Sequence, residues 1–254
     1  MHHLEPLPRQ EPHAIDHIEY HASINHELFK KRSLDLLAVE LGKQPATGYP
    51  SQRLNHQFST IPFDGPWNTH PDEPIEATQQ THPWTKDMLK NPNIGVVTGR
   101  GMFYEFGANN TADIAVTVRT CGELAILLVQ RNSGSWALPG GFVDQNESSF
   151  SAAVRELCEE TDFQLNQLEY HSTLAYRGPV ADVRMTAHAW PETSLYSVRL
   201  LNDYVPMHKV SIPYPVNDEG VKAACWFGSK ELPEVMFGSH KLMAQIALGQ
   251  SLEI

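Results

Sequence analysis

The sequence predicts an α+β fold in which a mixed β-sheet is sandwiched between helices (α/β/α), preceded by an N-terminal cap region. From residue 113 onwards, strand-like and helix-like segments follow in the order β-β-β-α-β-β-β-α, without the strict alternation of an all-parallel sheet. The 254-residue chain is 41% hydrophobic and 19% charged, an ordinary globular composition with enough apolar side chains for a sizeable core. Residues 45–95 lack this pattern and are rich in Pro, Asn, His and Thr.

The N-terminal part of the chain divides into two predicted segments. Residues 1–45 form a partly helical extension, because SINHELFKKRSLDLLAVELGK has amphipathic spacing and stops at Gly42. Residues 46–112 form the cap region. It is irregular but contains Tyr49, Phe63, Trp67 and Trp84. A flexible linker is poorer in large apolar residues, so an ordered cap lying against the main domain is expected.

The main domain, residues 113–254, contains all the strong secondary-structure signals. DIAVTVRT and ELAILLVQRN are predicted strands, and the second is fully buried because its apolar run is continuous. WALPGGFVD is a predicted strand that ends in a glycine loop. The remaining predictions are a helix at SSFSAAVRELCEETDF, strands at YHSTLAYRG, AHAWPETSLYSVRLL and AACWFGSKEL, and a closing helix at SHKLMAQIALGQ.

Composition limits the possible partners. A net charge of −11 argues against nonspecific nucleic-acid binding, which needs a basic surface. It allows a small anionic substrate, because bound divalent cations supply positive charge locally. The sequence shows no apolar run of about 18 residues and no signal-peptide core, so no membrane association is expected. Cys121, Cys158 and Cys225 have neither disulfide-framework nor zinc-ribbon spacing, which favours a reducing cytoplasmic location. The oligomeric state stays open.

The most informative motif is Gly141, five residues, Glu147, seven residues, and then RELCEE at 155–160. On a helix, residues three and four apart share a face, so Glu156, Glu159 and Glu160 project from one side within an arc of about 100°. The apolar positions Phe150, Val154, Leu157, Cys158 and Thr161 form the opposite, core-facing stripe.

A solvated acidic surface is the simpler explanation of these carboxylates. Such a surface usually includes lysines, because like charges at i,i+4 cost about 0.2–0.5 kcal/mol each. Here only Arg155 relieves the repulsion, and a bound dication would turn it into ligation. Six fixed positions coincide by chance with odds on the order of 10⁻⁵ in a chain of this length. The motif therefore favours a metal-binding helix.

These residues resemble the signature of the Nudix hydrolase family, G-x5-E-x7-R-E-U-x-E-E-x-G-U, where U is apolar. The sequence departs once, with Asp162 in place of the final Gly, a position that shapes the end of the helix. The resemblance implies a Nudix fold and metal-dependent hydrolysis of a diphosphate bond. Two or more Mg²⁺ (or Mn²⁺) ions would neutralise the diphosphate and lower the pKa of the attacking water. In-line attack on phosphorus then expels the other phosphate.

The resemblance also implies individual roles. Arg155 would pair with Glu147 and hold the loop against the helix. The implied metal shell consists of Glu156 and Glu160 as the main ligands, Glu159 as a further ligand or water-holder, and the backbone of Gly140 and Gly141.

A second layer of resemblance points to the mitochondrial ADP-ribose pyrophosphatase branch, whose pattern also occurs in the ADP-ribose-sensing domain of a melastatin-type cation channel. It covers about residues 47 to 250, and the pieces occur in the same order. The similar segments are TGYP, GVVTGRGMFYEFGANNTADI, GSWALPGGFVD, YRGPVADVRMTAHAWPET and FGSH. The implied reaction is ADP-ribose plus water to AMP and ribose 5-phosphate.

This branch implies substrate-binding roles outside the helix. Arg184 would clamp a phosphate or a ribose, and Asp182 would accept hydrogen bonds from ribose hydroxyls. The alternative for both is a plain surface ion pair. Ser239 and His240, at the start of the last helix, would donate to the distal sugar or a phosphate. Arg100, in GRG, either lets the backbone approach a ligand closely or belongs to a turn.

Other candidates have weaker support. Glu192, in AWPET, is a candidate for an extra catalytic carboxylate near the metals, and a solvent-facing strand residue is the alternative. Trp136 and Trp190 are predicted to be core residues, because buried aromatics outnumber stacking ones. The i, i+4, i+8 spacing of three histidines suits either a metal site or a solvated helix start; these are His13, His17 and His21.

Three functions stay open from the sequence: an ADP-ribose hydrolase, a Nudix enzyme acting on NADH, a nucleotide sugar or an oxidised nucleotide, and a non-catalytic ADP-ribose sensor. The intact Glu156, Glu159 and Glu160 speak against the sensor, which can lose these carboxylates. The sequence contains no recognisable helix-turn-helix after the main domain, which speaks against a transcriptional regulator.

Overall fold

The computed structural model describes residues 30–31, 67–68, 84, 103–104, 106–120, 122–182, 184–185, 189–201 and 220–250. A short 3₁₀ turn lies at Leu165–Gln167. The elements are β1 (Trp67–Asn68), β2 (Phe106–Thr120), β3 (Glu123–Arg131), β4 (Trp136–Ala137), β5 (Gly140–Phe142), α1 (Ser149–Thr161), β6 (Tyr170–Pro179), β7 (Ala189–Leu200), β8 (Val221–Gly228) and α2 (His240–Ala247).

The strands form one mixed sheet around β2. β2 runs parallel to β1 and β7 and antiparallel to β3 and β5. β3 is also antiparallel to β4 and β8, and β6 is antiparallel to β7. The length of β2 makes this possible, because one edge pairs with β7 while the other pairs first with β5 and then with β3. The predicted mixed sheet is confirmed.

Each face of the sheet packs against one helix. Side chains alternate between the faces of a strand, so Ile114 and Val116 lie in the core layer that contains Leu157 of α1. Ala115, between them, lies in the other layer, which contains Leu242 of α2. The run in β3 is buried on both faces, as its continuous apolar sequence predicts. The α/β/α arrangement is therefore confirmed. Within the described ranges, no helix is long and apolar enough to cross a bilayer.

Two strand boundaries differ from the sequence prediction. β2 begins at Phe106 rather than Asp113, so the boundary placed between residues 112 and 113 falls inside a strand. GANNTA has little strand propensity, and this half of β2 is fixed by β7 and β5 beside it. WALPGGFVD forms two strands, β4 and β5, instead of one. Pro139 between them has no N–H for a ladder, although its carbonyl accepts from the Ile114 N–H at 3.0 Å.

A few residues of the predicted cap region are described, and they lie against the main domain. β1 pairs with the start of β2, and Trp84 is buried in the core layer on the α2 side. Lys30 and Lys31, in the predicted N-terminal helix, are helical. The division of the chain into extension, cap and main domain stays a prediction. Arg100 and the three N-terminal histidines, His13, His17 and His21, lie outside the described residues.

The end of α1 is set by Asp162, which replaces the glycine of the Nudix signature. Its backbone is left-handed, with φ 56° and ψ 16°, and its N–H donates to the Cys158 carbonyl at 2.8 Å. The position therefore shapes the helix end, as predicted. Glycine adopts this conformation without a Cβ penalty, whereas other L-residues pay about 1–2 kcal/mol.

We expect Asp162→Gly to raise the free energy of unfolding by up to about 1 kcal/mol, and Asp162→Ala to lower it by a similar amount. Urea unfolding of the two variants and the wild type measures both changes. The turnover rate should stay at the wild-type level, because Asp162 does not line the cavity described below. Equal stabilities for the glycine and alanine variants would contradict this account.

Candidate active site

One cavity of about 380 Å³ collects most of the predicted site residues. Its walls include residues of β2, β5, α1, the segment after β6 and the start of α2. The predicted residues that line it are Gly140, Gly141, Arg155, Glu156, Glu160, Asp182, Arg184, Ser239 and His240. Glu147, Glu159 and Glu192 are not among its lining residues. Residues far apart in sequence therefore meet in one place.

Arg155 is the hydrogen-bonding centre of the helix and its loop. Its Nε and Nη2 donate to the two carboxylate oxygens of Glu147 at 3.1 and 3.0 Å. Nη2 also donates to the Phe142 carbonyl at 3.0 Å, while Nη1 donates to Glu156 at 2.8 Å and Glu159 at 3.0 Å. The bond to Glu147 raises the pKa of Arg155 and lowers that of Glu147. The structure thus contains the predicted pair, which joins the β5 loop to α1.

The three carboxylates of the helix do not share one environment. Glu160 is 5% exposed, and its Oε2 accepts from the Gly140 N–H at 3.0 Å. Glu156 also lines the cavity and lies against Gly141, where any Cβ would overlap its carboxylate. The side chain of Glu159 is 53% exposed. The i,i+4 pair of Glu156 and Glu160 therefore faces the cavity, while Glu159 points towards solvent.

The chemistry of this donor set suits a hard divalent cation. Carboxylate oxygens are the ligands that Mg²⁺ and Mn²⁺ prefer, and glycine at 140 and 141 lets the backbone approach Glu156 and Glu160 closely. As placed, no three His, Cys, Asp or Glu side chains in the described part of the chain are grouped to hold an ion. Arg155 Nη1 instead donates to both Glu156 and Glu159.

Asp182 and Arg184 form a buried ion pair with each other. The Arg184 Nε lies 2.9 Å from Oδ1 and 3.1 Å from Oδ2 of Asp182, and Nη2 lies 2.6 Å from Oδ2. Burial opposes ionisation of Asp182, but the Arg184 charge and the hydrogen bonds from Arg184 together outweigh it and hold the pKa of the carboxyl below its usual value. The ion pair considered as an alternative is present, and its carboxylate is buried rather than at the surface, since Asp182 is 4% exposed. Both Asp182 oxygens are already engaged, so this residue also fixes the Arg184 guanidinium at the cavity wall.

His240 begins α2 and is a neutral imidazole. The Leu138 N–H donates to its Nδ1 at 3.0 Å, and burial lowers its pKa to about 3. The 4.0 Å approach of Nδ1 to Asp113 Oδ1 is therefore not an ion pair. With Nδ1 accepting, the neutral ring carries its proton on Nε2. The neighbouring Ser239 is buried, and its Oγ accepts from the Ala181 N–H at 3.0 Å.

Asp113 is a cavity residue that the sequence reasoning placed only at the start of a strand. Burial raises its pKa to about 7, and its Oδ2 accepts a short hydrogen bond from the Thr193 hydroxyl. A Cβ on Gly140 would overlap its Oδ1. The sequence feature that could have identified Asp113 as a site residue is a carboxylate next to the apolar residues of a predicted strand. Such a residue, buried on both sides, needs a functional or hydrogen-bonding reason.

Glu192, the other carboxylate candidate, is buried in β7. Its Oε1 accepts from the Trp190 Nε1 at 2.9 Å, and burial raises its pKa. The alternative of a solvent-facing strand residue is therefore wrong, although Glu192 does not line the cavity either. Trp190 is 1% exposed and belongs to the core, as predicted, and Trp136 packs against the same core.

A mixed sheet between two helices, with acidic side chains of α1 facing a glycine loop, defines the class of fold and site that the sequence motif indicates. A family model described as NUDIX domain matches residues 109–246. The chain therefore belongs to the NUDIX domain family, and the resemblance noted in the sequence is confirmed.

The chain is similar to several known proteins. It is 36% identical over 109 residues to the Caenorhabditis elegans protein named "Putative nudix hydrolase 6", covering 40% of this chain and 42% of that protein. It is 34% identical over 92 residues to the ADPR responsive transcriptional repressor NtrR of Acinetobacter baylyi, covering 34% of each. It is 29% identical over 139 residues to the mitochondrial ADP-ribose pyrophosphatase of Rattus norvegicus, covering 41% of this chain and 39% of that protein. The matches span less than half the length of each relative.

Proposed function

We propose that this protein hydrolyses the diphosphate bond of a nucleoside diphosphate derivative with the help of divalent metal ions, and that ADP-ribose is its substrate. The observation that carries the proposal is the single cavity in which Glu156 and Glu160 face the Gly140–Gly141 backbone. The buried Asp182–Arg184 pair and the neutral His240 line the same cavity. The carboxylates proposed to hold metals therefore lie in the same cavity as polar groups that suit a sugar phosphate.

The chain's own residues prepare this cavity for the reaction. Bound Mg²⁺ or Mn²⁺ would be held by Glu156 and Glu160, would neutralise the diphosphate and would lower the pKa of the attacking water. Arg155 ties the helix to Glu147 and the Phe142 carbonyl, so the carboxylates and the glycine loop keep a fixed spacing. His240 offers an Nε2 proton as a neutral donor, while its Nδ1 is anchored by the Leu138 amide.

The choice of ADP-ribose rests on similarity. One relative is named an ADP-ribose pyrophosphatase and another an ADPR-responsive repressor. The segments around Asp182, Arg184 and His240, which resemble the pyrophosphatase branch, all reach the cavity. The alternatives are hydrolysis of NADH, a nucleotide sugar or an oxidised nucleotide, and a sensor that binds ADP-ribose without cleaving it.

We expect ADP-ribose to have the highest kcat/KM among ADP-ribose, NADH, ADP-glucose and 8-oxo-dGTP, and to give AMP and ribose 5-phosphate. Chromatography of the products with Mg²⁺ and with Mn²⁺ measures the ranking, and excess EDTA provides the metal-free control. A hydrogen-bonding site rejects ligands that leave its polar groups unpaired, so the preference should be tenfold or more, about 1.4 kcal/mol. A competitor clearly ahead would refute the substrate. Binding of ADP-ribose without cleavage would favour the sensor.

We further propose a cytoplasmic protein whose partner is this small molecule, without nucleic acid or membrane. The net charge of −11 supports that proposal, because nonspecific binding to nucleic acid requires a basic surface. The repressor relative matches over only 34% of its length.

A further inference from the structure

Arg131 is a cavity residue for which the Nudix signature gives no role. It ends β3 and lines the cavity together with Glu156, Asp182 and Arg184. Its backbone is fixed by a tight turn, in which its N–H donates to the Ser135 carbonyl at 2.9 Å and its carbonyl accepts from the Gly134 N–H at 2.8 Å. The pairing of β3 with β8 also shifts register between Gln130 and Arg131. Such irregularities redirect a side chain relative to a regular strand.

Arg131 differs from the other two arginines of the cavity in its partners among the described residues. Arg155 donates to Glu147, Glu156 and Glu159, and Arg184 donates to Asp182. By contrast, the Arg131 guanidinium forms no hydrogen bond or ion pair with any residue in the described part of the chain. The Arg131 guanidinium contacts the Phe237 ring, whose centroid lies 4.5 Å from Cζ.

This contact orients the guanidinium without consuming its donors. A cation–π contact involves no oxygen acceptor, so it leaves the guanidinium N–H groups available to a ligand. Phe237 lines the same cavity, so the contact holds the guanidinium at the cavity wall. A planar fork of this kind matches the oxygen spacing of a phosphate.

The Arg131 charge also acts on other cavity groups. Its guanidinium lowers the pKa of His240, after the larger effect of burial, and it lowers the pKa values of Asp113 and Asp182. Among the described residues, Arg155 and Arg184 are paired with carboxylates and Arg131 is not. A ligand with negative charge would pair with the Arg131 guanidinium.

We propose that Arg131 is a substrate-binding residue that donates hydrogen bonds to phosphate oxygens of the diphosphate. This inference rests on the proposed function and deepens it. Arg131 recognises what all nucleoside diphosphates share, so it contributes affinity to each of them. The groups around Asp182, Arg184 and His240 are left to discriminate among sugars and bases.

Calorimetric binding tests this role without turnover. The probes are α,β-methylene-ADP, a non-hydrolysable diphosphate, and adenosine, which has no phosphate, both with saturating Mg²⁺. We expect Arg131→Met, which keeps an apolar side chain against Phe237, to weaken binding of α,β-methylene-ADP by about ten- to hundredfold. Arg131→Lys should give an intermediate loss, because it keeps the charge and loses the fork. Adenosine should bind all forms equally.

The matched control is Arg119→Met, at an exposed position of β2 that does not line the cavity; it should bind both probes like the wild type. Thermal unfolding shows whether each variant is folded. If Arg131→Met does not fold, Arg131→Lys takes its place in the comparison. The inference is overturned if Arg131→Met binds α,β-methylene-ADP normally, if adenosine binding falls equally, or if the wild type does not bind the diphosphate.

Kinetics separate this inference from the choice of substrate. On every diphosphate that the wild type cleaves, Arg131→Met should lower kcat/KM by a similar factor. A loss confined to one substrate would indicate a base or sugar contact and would overturn the phosphate role. If ADP-ribose were not cleaved, the proposed function would fail, while the α,β-methylene-ADP comparison would still decide the role of Arg131.

Discussion

Glu160→Gln and Glu156→Gln each cut turnover by at least about a hundredfold while the fold stays intact, if these carboxylates hold the catalytic metals. The size follows from losing metal-based stabilisation of the charge that develops at phosphorus. Glutamine at 160 can still accept from the Gly140 N–H through its amide oxygen, a bond that measures 3.0 Å with glutamate. The change therefore removes the charge and leaves the local hydrogen bond.

Initial rates over a metal titration provide the measurement, so that weaker metal binding is distinguished from slower chemistry. Glu159→Gln is the matched control on the same helix. Its side chain is 53% exposed and does not line the cavity, so we expect a smaller loss. Near-normal turnover of the Glu156 or Glu160 variant at saturating metal would reject their assignment as the main ligands.

Arg155→Met and Glu147→Gln should each lower kcat/KM by about ten- to hundredfold, since each breaks charged hydrogen bonds worth about 1.5–3 kcal/mol. Neither change removes a proposed metal ligand. The loss arises because the two bonds between these residues, at 3.1 and 3.0 Å, hold the β5 loop against α1. The double variant should lose less than the sum of the two single losses, because the second change breaks a bond that is already gone.

A double-mutant cycle of kcat/KM measures this coupling, and urea unfolding of the same four proteins reports the accompanying change in stability. Arg177→Met is a suitable control, because Arg177 lies in β6, bonds to Ser194 and does not line the cavity. We expect its combination with Glu147→Gln to be additive. Strict additivity of Arg155→Met with Glu147→Gln would show that the pair does not act as a unit.

The fold prediction succeeded where the local signal was strong. The apolar run of β3 and the spacing of α1 each determine their own structure, and both elements lie close to the predicted bounds. It missed the first half of β2, because Gly107, Asn109 and Asn110 have low strand propensity. Those residues are extended since β7 pairs with them across the sheet, and such long-range pairing leaves little trace in local sequence.

The site prediction also succeeded where the residues lie close in sequence and left open what long-range contacts decide. The pair of Arg155 and Glu147 that the resemblance implies is present, and Glu160, on the same helix, accepts from the glycine loop. For Asp182 and Arg184 the sequence left ligand contacts and an ion pair open, and the structure contains the ion pair. The sequence provides the residue types but does not tell which partner each polar group takes.

By itself, then, the sequence determined most of the elements, the acidic face of α1 and the family, because these depend on spacing within short segments. Only the tertiary structure decided which distant residues share the cavity. It brought Asp113 beside Gly140 and Glu156, and it placed the Arg131 guanidinium over the Phe237 ring without an ion-pair partner among the described residues. Burial and charge neutralisation depend on groups from several strands and helices at once, and these contacts exist only after the sheet has assembled.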